Sequence, residues 1–109
     1  MGKSKLSRKF YAIFFPARFF EREISYELYS FIEYSRNAKI ASLKYYNSCT
    51  FILAIRYKET YHVCSVDRGE IYFDEKLVCP NKYLEEKSAD QFSAVKRVKE
   101  ILDELLFSQ

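Results

Sequence analysis

Residues 50–74, TFILAIRYKETYHVCSVDRGEIYFD, read as strand almost throughout. Successive side chains of a strand point to opposite faces, so a half-buried strand alternates in polarity. Phe51, Leu53, Ile55 and Tyr57 fall on one side of the first run, and Ile52, Ala54, Arg56 and Lys58 on the other. Tyr61 to Val66 is a second run, reached through a very short connection at Glu59-Thr60. Asp67-Arg68-Gly69 then turns the chain into a third run, Glu70 to Asp74, with Gly69 available for positive φ. Short links of this kind join antiparallel neighbours, so the three runs form a meander.

On the N-terminal side, Leu43 to Tyr46 is either a further edge strand, set off by Asn47-Ser48, or an extension of the strand that follows. On the C-terminal side, Leu77-Val78-Cys79 could add a short strand before Pro80-Asn81 breaks the chain. Helices flank this block. Ser88-Ala89-Asp90-Gln91 has the form of a capping box. After it, Phe92, Val95, Val98, Ile101, Leu102, Leu105 and Leu106 form one apolar stripe, which predicts an amphipathic helix from about 89 to 107. Pro16 suits a helix opening. Beyond it Phe20, Ile24, Leu28 and Phe31 line one face, while Phe19, Tyr26 and Tyr29 stand nearly opposite. A segment folded back through Leu6, Phe10, Ile13 and Phe14 could cover that second face. The expected order is helix, helix, three or four strands, helix. The fold class is α+β, with the meander packed against an N-terminal helical region and the C-terminal helix.

At 109 residues the chain fits a single domain, residues 1–109, in which residues 1–9 form a basic arm. Hydrophobic residues make up 49% and aromatics 18%, with ten Tyr and ten Phe, enough for a core without staples. Tyrosine serves cores and interfaces alike, so its abundance points mildly to a protein-contacting surface. The net charge of +3 is uneven. Six of the eighteen Lys and Arg lie in residues 1–22 with Glu21 as the sole acid there, and the remainder is slightly acidic. A basic arm on a near-neutral body is not the footprint of a dedicated DNA-binding domain.

Several chemistries find no residues to carry them. The three cysteines, Cys49, Cys64 and Cys79, are odd in number and dispersed, which suits reduced thiols in the cytoplasm better than a disulfide framework. With His62 as the only histidine, a zinc site is not expected, and no cofactor is implied. His62 and Cys64 share a strand face, yet no orienting acid is apparent beside them. The acid pairs Asp74-Glu75 and Glu85-Glu86 read as solvated turns. Two glycines, Gly2 and Gly69, cannot build a phosphate loop. No run approaches the length of a transmembrane helix. The N-terminal stretch has neither the small-residue cleavage site of a signal peptide nor the Ser or Thr of a myristoylation motif, where Leu6 stands.

The order helix, three strands, helix over residues 17–106 resembles that of double-stranded RNA-binding domains, which would imply RNA as a ligand. Such domains grip phosphates with lysines at the start of the last helix. Here that position reads Glu85-Glu86-Lys87-Ser88-Ala89-Asp90, a net acidic stretch, and the GPxH-type segment is absent. Nucleic acid therefore stands second, through Lys3, Lys5, Arg8 and Lys9. A membrane-surface role for that arm with Phe10, Ile13, Phe14 and Phe15 ranks lower still.

What remains is a non-enzymatic, protein-binding module of the inhibitor or immunity type, whose partner could be a cognate toxin such as a nuclease. Two surfaces compete for that partner. One is an acidic edge of the meander, Asp67, Glu70, Asp74 and Glu75, suited to a basic target. The other is the aromatic face with Phe19, Tyr26 and Tyr29. Oligomeric state is not legible in the sequence.

Overall fold

A computed structural model describes residues 16–80 and 91–108. It is an α+β fold, a five-stranded antiparallel meander in the order β1-β2-β3-β4-β5 with a helix before it and a helix after it. The strands are β1 (Lys39–Asn47), β2 (Thr50–Tyr57), β3 (Thr60–Asp67), β4 (Glu70–Phe73) and β5 (Lys76–Cys79). Helix α1 spans Pro16–Tyr29 and runs into a π turn, Ser30–Ser35. Helix α2 spans Ser93–Leu102 and ends in another, Asp103–Phe107.

The count of three or four strands is thus corrected to five. The Leu43–Tyr46 stretch belongs to a full edge strand in register with β2, and Leu77–Cys79 closes the other edge. Tight hairpins account for the extra strands. The links β2–β3, β3–β4 and β4–β5 are two residues each, with positive φ at Lys58 and Glu59, at Arg68 and Gly69, and at Asp74 and Glu75. Paired positive φ values match the right-handed twist of the flanking strands. Only Gly69 of these six residues meets that demand without a steric cost.

One face of the sheet holds the core. Phe51, Leu53 and Ile55 of β2, Cys64 and Val66 of β3, Ile71 of β4 and Cys79 of β5 are buried there. Ile24, Leu28 and Ile32 of the first helix, and Val95, Val98, Ile101, Leu102 and Leu106 of the last, close over them. Burial of Phe51, Leu53 and Ile55, of Ile24 and Leu28, and of Val95, Val98, Ile101, Leu102 and Leu106 follows the alternation and the stripes read from the sequence, whereas Ile32 takes the buried place expected of Phe31.

The two π turns explain the departures. A π turn advances each residue by less than the 100° of an α-helix, because its hydrogen bonds reach one residue further. In the first turn this aligns Ile32 above Leu28 and moves Phe31 to the flank, against Phe107 at 5.9 Å. In the second it turns Leu105 outward, leaving it 38% exposed, and brings Phe107 in against Tyr57 at 5.1 Å. The helices are also tied by Lys99 Nζ to Glu27 Oε1 at 3.2 Å. The buried Ser48 hydroxyl donates to Gln91 Oε1, anchoring the β1–β2 turn to the start of the last helix. The remaining capping-box residues, 88–90, and the folded-back segment through Leu6, Phe10, Ile13 and Phe14 lie outside the described residues.

Candidate functional site

The four acids singled out in the sequence do not form one edge. Asp67 and Glu70 flank the β3–β4 turn and pair across it. Asp74 and Glu75 form the β4–β5 turn, at the far end of the four-residue strand β4. The outer edges of the sheet belong to β1 and β5.

Asp74 also has work inside the fold. Its Oδ2 lies 2.8 Å from His62 Nδ1, and its Oδ1 accepts the Val63 amide at 2.9 Å. The Asp74 amide in turn donates to the Val63 carbonyl at 2.8 Å. Partial burial pushes the Asp74 carboxyl upward, but the hydrogen bonds from His62 and the Val63 amide outweigh it and hold the group below its ordinary range. His62 stacks on Phe73, ring centroids 5.6 Å apart.

This supplies the orienting acid that the sequence left unidentified beside His62 and Cys64, because a β-hairpin brings together residues twelve apart. The cysteine is nevertheless badly placed for nucleophilic chemistry. Its side chain is buried, and burial, followed by the nearby Asp74 charge, pushes the thiol up to about 12. The reactive form of cysteine is the thiolate, which such a site suppresses near neutral pH. Among the described residues no group of three or more His, Cys, Asp or Glu is placed to hold a metal ion. Nor is any described helix long and apolar enough to cross a membrane.

The aromatic surface is partly assembled. Phe19 is half-buried, with its ring edge-on to Phe20 at 5.2 Å. Tyr26 and Tyr29 stand on the outward side of α1, 70% and 41% exposed. Tyr34, which the α-helical spacing had not grouped with them, is 88% exposed at the end of the same helical segment. Along the helix Arg22 lies one turn before Tyr26 and Glu33 one turn beyond Tyr29, with Glu23 at Tyr26's side, so both charges border the tyrosines.

A third surface was legible only as an alternation without a role. The sheet face turned away from the helices carries Ile52, Val63 and Leu77, all more than one-third exposed, with Tyr61 at 65%. Cross-strand register places Lys44, Ile52, Ser65, Tyr72 and Leu77 in one row and Ser42, Ala54 and Val63 in the next. Lys39, Arg56 and Tyr61 form the row at one end, and Asp67 and Glu70 pair at the other. The basic-arm residues Lys3, Lys5, Arg8 and Lys9 lie outside the described residues.

Comparison with protein-family models, with curated proteins and with solved structures finds no match.

Proposed function

We propose that this chain is a small non-catalytic protein-binding module of the inhibitor or immunity type, acting in the reducing cytoplasm on a partner such as a toxin nuclease. The observation that carries the reading is the exposure of Tyr26 and Tyr29 on the first helix and of Tyr34 in the π turn that follows it. Tyrosine anchors interfaces because it offers a large amphipathic area at low rotamer cost. The opposite side of this helical segment is held in the core by Ile24, Leu28 and Ile32.

Two further features support the reading. The burial of Cys64 argues against the Cys–His pair as a catalytic device. Three free cysteines, Cys49, Cys64 and Cys79, agree with a reducing compartment. Of the acids, Asp67 and Glu70 are the pair to test, since Asp74 is committed to His62 and Val63.

Cross-linking in native lysate, followed by mass spectrometry, identifies the partner, and calorimetry with the purified partner then tests the surface. Tyr26→Ala with Tyr34→Ala is expected to weaken binding by roughly thirtyfold or more, the loss expected on truncating interface hot spots, with an unchanged unfolding midpoint. Undiminished affinity in that double variant, with loss in Asp67→Lys/Glu70→Lys, would move the contact to the β3–β4 turn. If both variants bind as the parent does, neither surface carries the function.

A further inference from the structure

We propose that the open face of the sheet binds single-stranded nucleic acid along its β1–β2 side. Strands β1 and β2 carry three cations, Lys39, Lys44 and Arg56, and no acid. All three are exposed, and among the described residues none of them forms an ion pair. Elsewhere Arg36, Arg68, Arg97 and Lys99 each meet a carboxylate.

Register sets two of the free cations against each other, for Lys39 is the cross-strand partner of Arg56. Like charges directly opposite each other destabilise a sheet. No ion pair among the described residues offsets this one. The acids of the five strands are Asp67 and Glu70, at the other end of the sheet. Asp67 lies about 20 Å from Tyr61 along β3 at strand rise. An anion seated between Lys39 and Arg56 removes the repulsion.

The next residue in the row selects among anions. Tyr61 is the partner of Arg56 on β3 and is 65% exposed, so a ring stands beside the two cations. Lys44 lies opposite Ile52, four residues from Arg56 along β2, or about 14 Å at strand rise. Ala54 and Val63 lie between these rows. Cations spread along the strands, with a ring and an aliphatic floor beside them, match a chain that alternates phosphates with flat bases. Phosphates then meet Lys39, Arg56 and Lys44, while bases lie on Tyr61 and over Ile52 and Val63. Stacking on aromatics beside a basic track is how single strands are held without sequence preference. An acidic peptide or an anionic bilayer offers the charge without the rings, and a duplex hides its base faces. Asp67 and Glu70 repel phosphate at the far end, which keeps the strand on the β1–β2 side. The tyrosines of α1 take no part in this contact, so the two binding surfaces can be lost independently.

Fluorescence anisotropy of the full chain with a labelled oligothymidylate about ten nucleotides long tests this. Affinity should fall with salt at a log–log slope of about −2 or steeper, as three phosphate contacts on a single strand require. Lys39→Glu with Lys44→Glu should weaken binding by roughly tenfold or more and flatten that slope by about 1.4. Lys39→Glu alone turns a like-charged pair into an opposite one. It should therefore lose affinity while the unfolding midpoint rises, which separates a lost contact from a damaged fold. Tyr61→Leu should weaken binding by roughly tenfold, and Tyr61→Phe should bind as the parent does. No binding at low salt overturns the proposal, as does unchanged affinity in Lys39→Glu/Lys44→Glu or in Tyr61→Leu. Binding lost only when Lys3, Lys5, Arg8 and Lys9 are changed to Ala would move the contact to the N-terminal arm and overturn it too. Polyglutamate or phosphatidylserine vesicles that displace the oligonucleotide on equal terms would reveal an anion site that reads no bases, with the same consequence.

Discussion

Arg36 and Asp103 join the two helical ends by a two-pronged ion pair, Nε to Oδ1 at 2.6 Å and Nη2 to Oδ2 at 2.8 Å. Arg36 follows the first π turn and Asp103 opens the second. The guanidinium also lies over the Phe31 ring, 4.5 Å from its centroid. Only arginine offers a planar fork that both matches a carboxylate and stacks on an aromatic face. Arg36→Lys should therefore behave almost as badly as Arg36→Ala, each costing about 1 kcal/mol for a pair that is part-exposed. The hydrogen bond from Arg36 holds the Asp103 carboxyl below its ordinary 3.8, against the opposing effect of burial. A depressed carboxyl contributes stability that is full above 3.8 and lost as pH falls through its lower folded value. Urea titrations over a descending pH series should show a shallower acid loss in Asp103→Asn than in the parent.

Asp74 makes a second prediction, one that separates structure from binding. Asp74→Ala leaves the Val63 amide without its acceptor and His62 without its carboxylate, and should cost about 1–2 kcal/mol. Hydrogen exchange at Val63 is the direct readout, expected to quicken in Asp74→Ala and to be largely rescued in Asp74→Asn, which keeps an acceptor. The Asp74 carboxyl is depressed, so its contribution is also present above 3.8 and fades at lower pH.

For Cys64 the sign is reversed. Its thiol is raised from 9.0 to about 12 by burial, so the folded chain resists its ionisation. That contribution is complete below 9.0 and is lost as pH rises from there toward 12. Cys64→Ala should flatten the alkaline limb of the stability profile relative to the parent. In thiol labelling at neutral pH, Cys49 should react first, and Cys64 only at the rate of unfolding.

The β2–β3 turn is under conformational strain. Lys58 and Glu59 adopt φ of 51° and 65°, a region where a Cβ costs about 1 kcal/mol per residue. Glu59→Gly should raise stability by about 0.5 kcal/mol, with the relief partly offset by the freer unfolded chain. Thermal and urea unfolding both report this, and a decrease would mean that the Glu59 side chain makes a compensating contact.

Much of the fold can be read along the chain. Alternation separates Phe51, Leu53 and Ile55, all buried, from Ile52 and Arg56, both exposed. The stripe through Val95, Val98, Ile101 and Leu102 likewise names the buried side of the last helix. Outcomes of this kind depend on local periodicity and on the simple fact that apolar side chains leave water. The strand count was less legible, because Lys39 to Asn47 carries a bulge near Ala41 that interrupts its alternation.

The absence of obvious catalytic motifs in a small, tyrosine-rich α+β chain was a property of the sequence alone, as was the two-faced alternation of the first central strand. Tertiary structure decided what the surfaces are. It split the acids between opposite ends of β4, tied Asp74 to His62, and buried Cys64 beyond the reach of a substrate. It also left Tyr34 exposed in the π turn after the first helix, and Ile52 and Val63 exposed on the sheet face away from the two described helices. The physical reason is the same in each case. Periodicity reports which side of an element is apolar, whereas π turns, hairpin register and the choice of face that the helices cover depend on contacts between residues far apart in the chain.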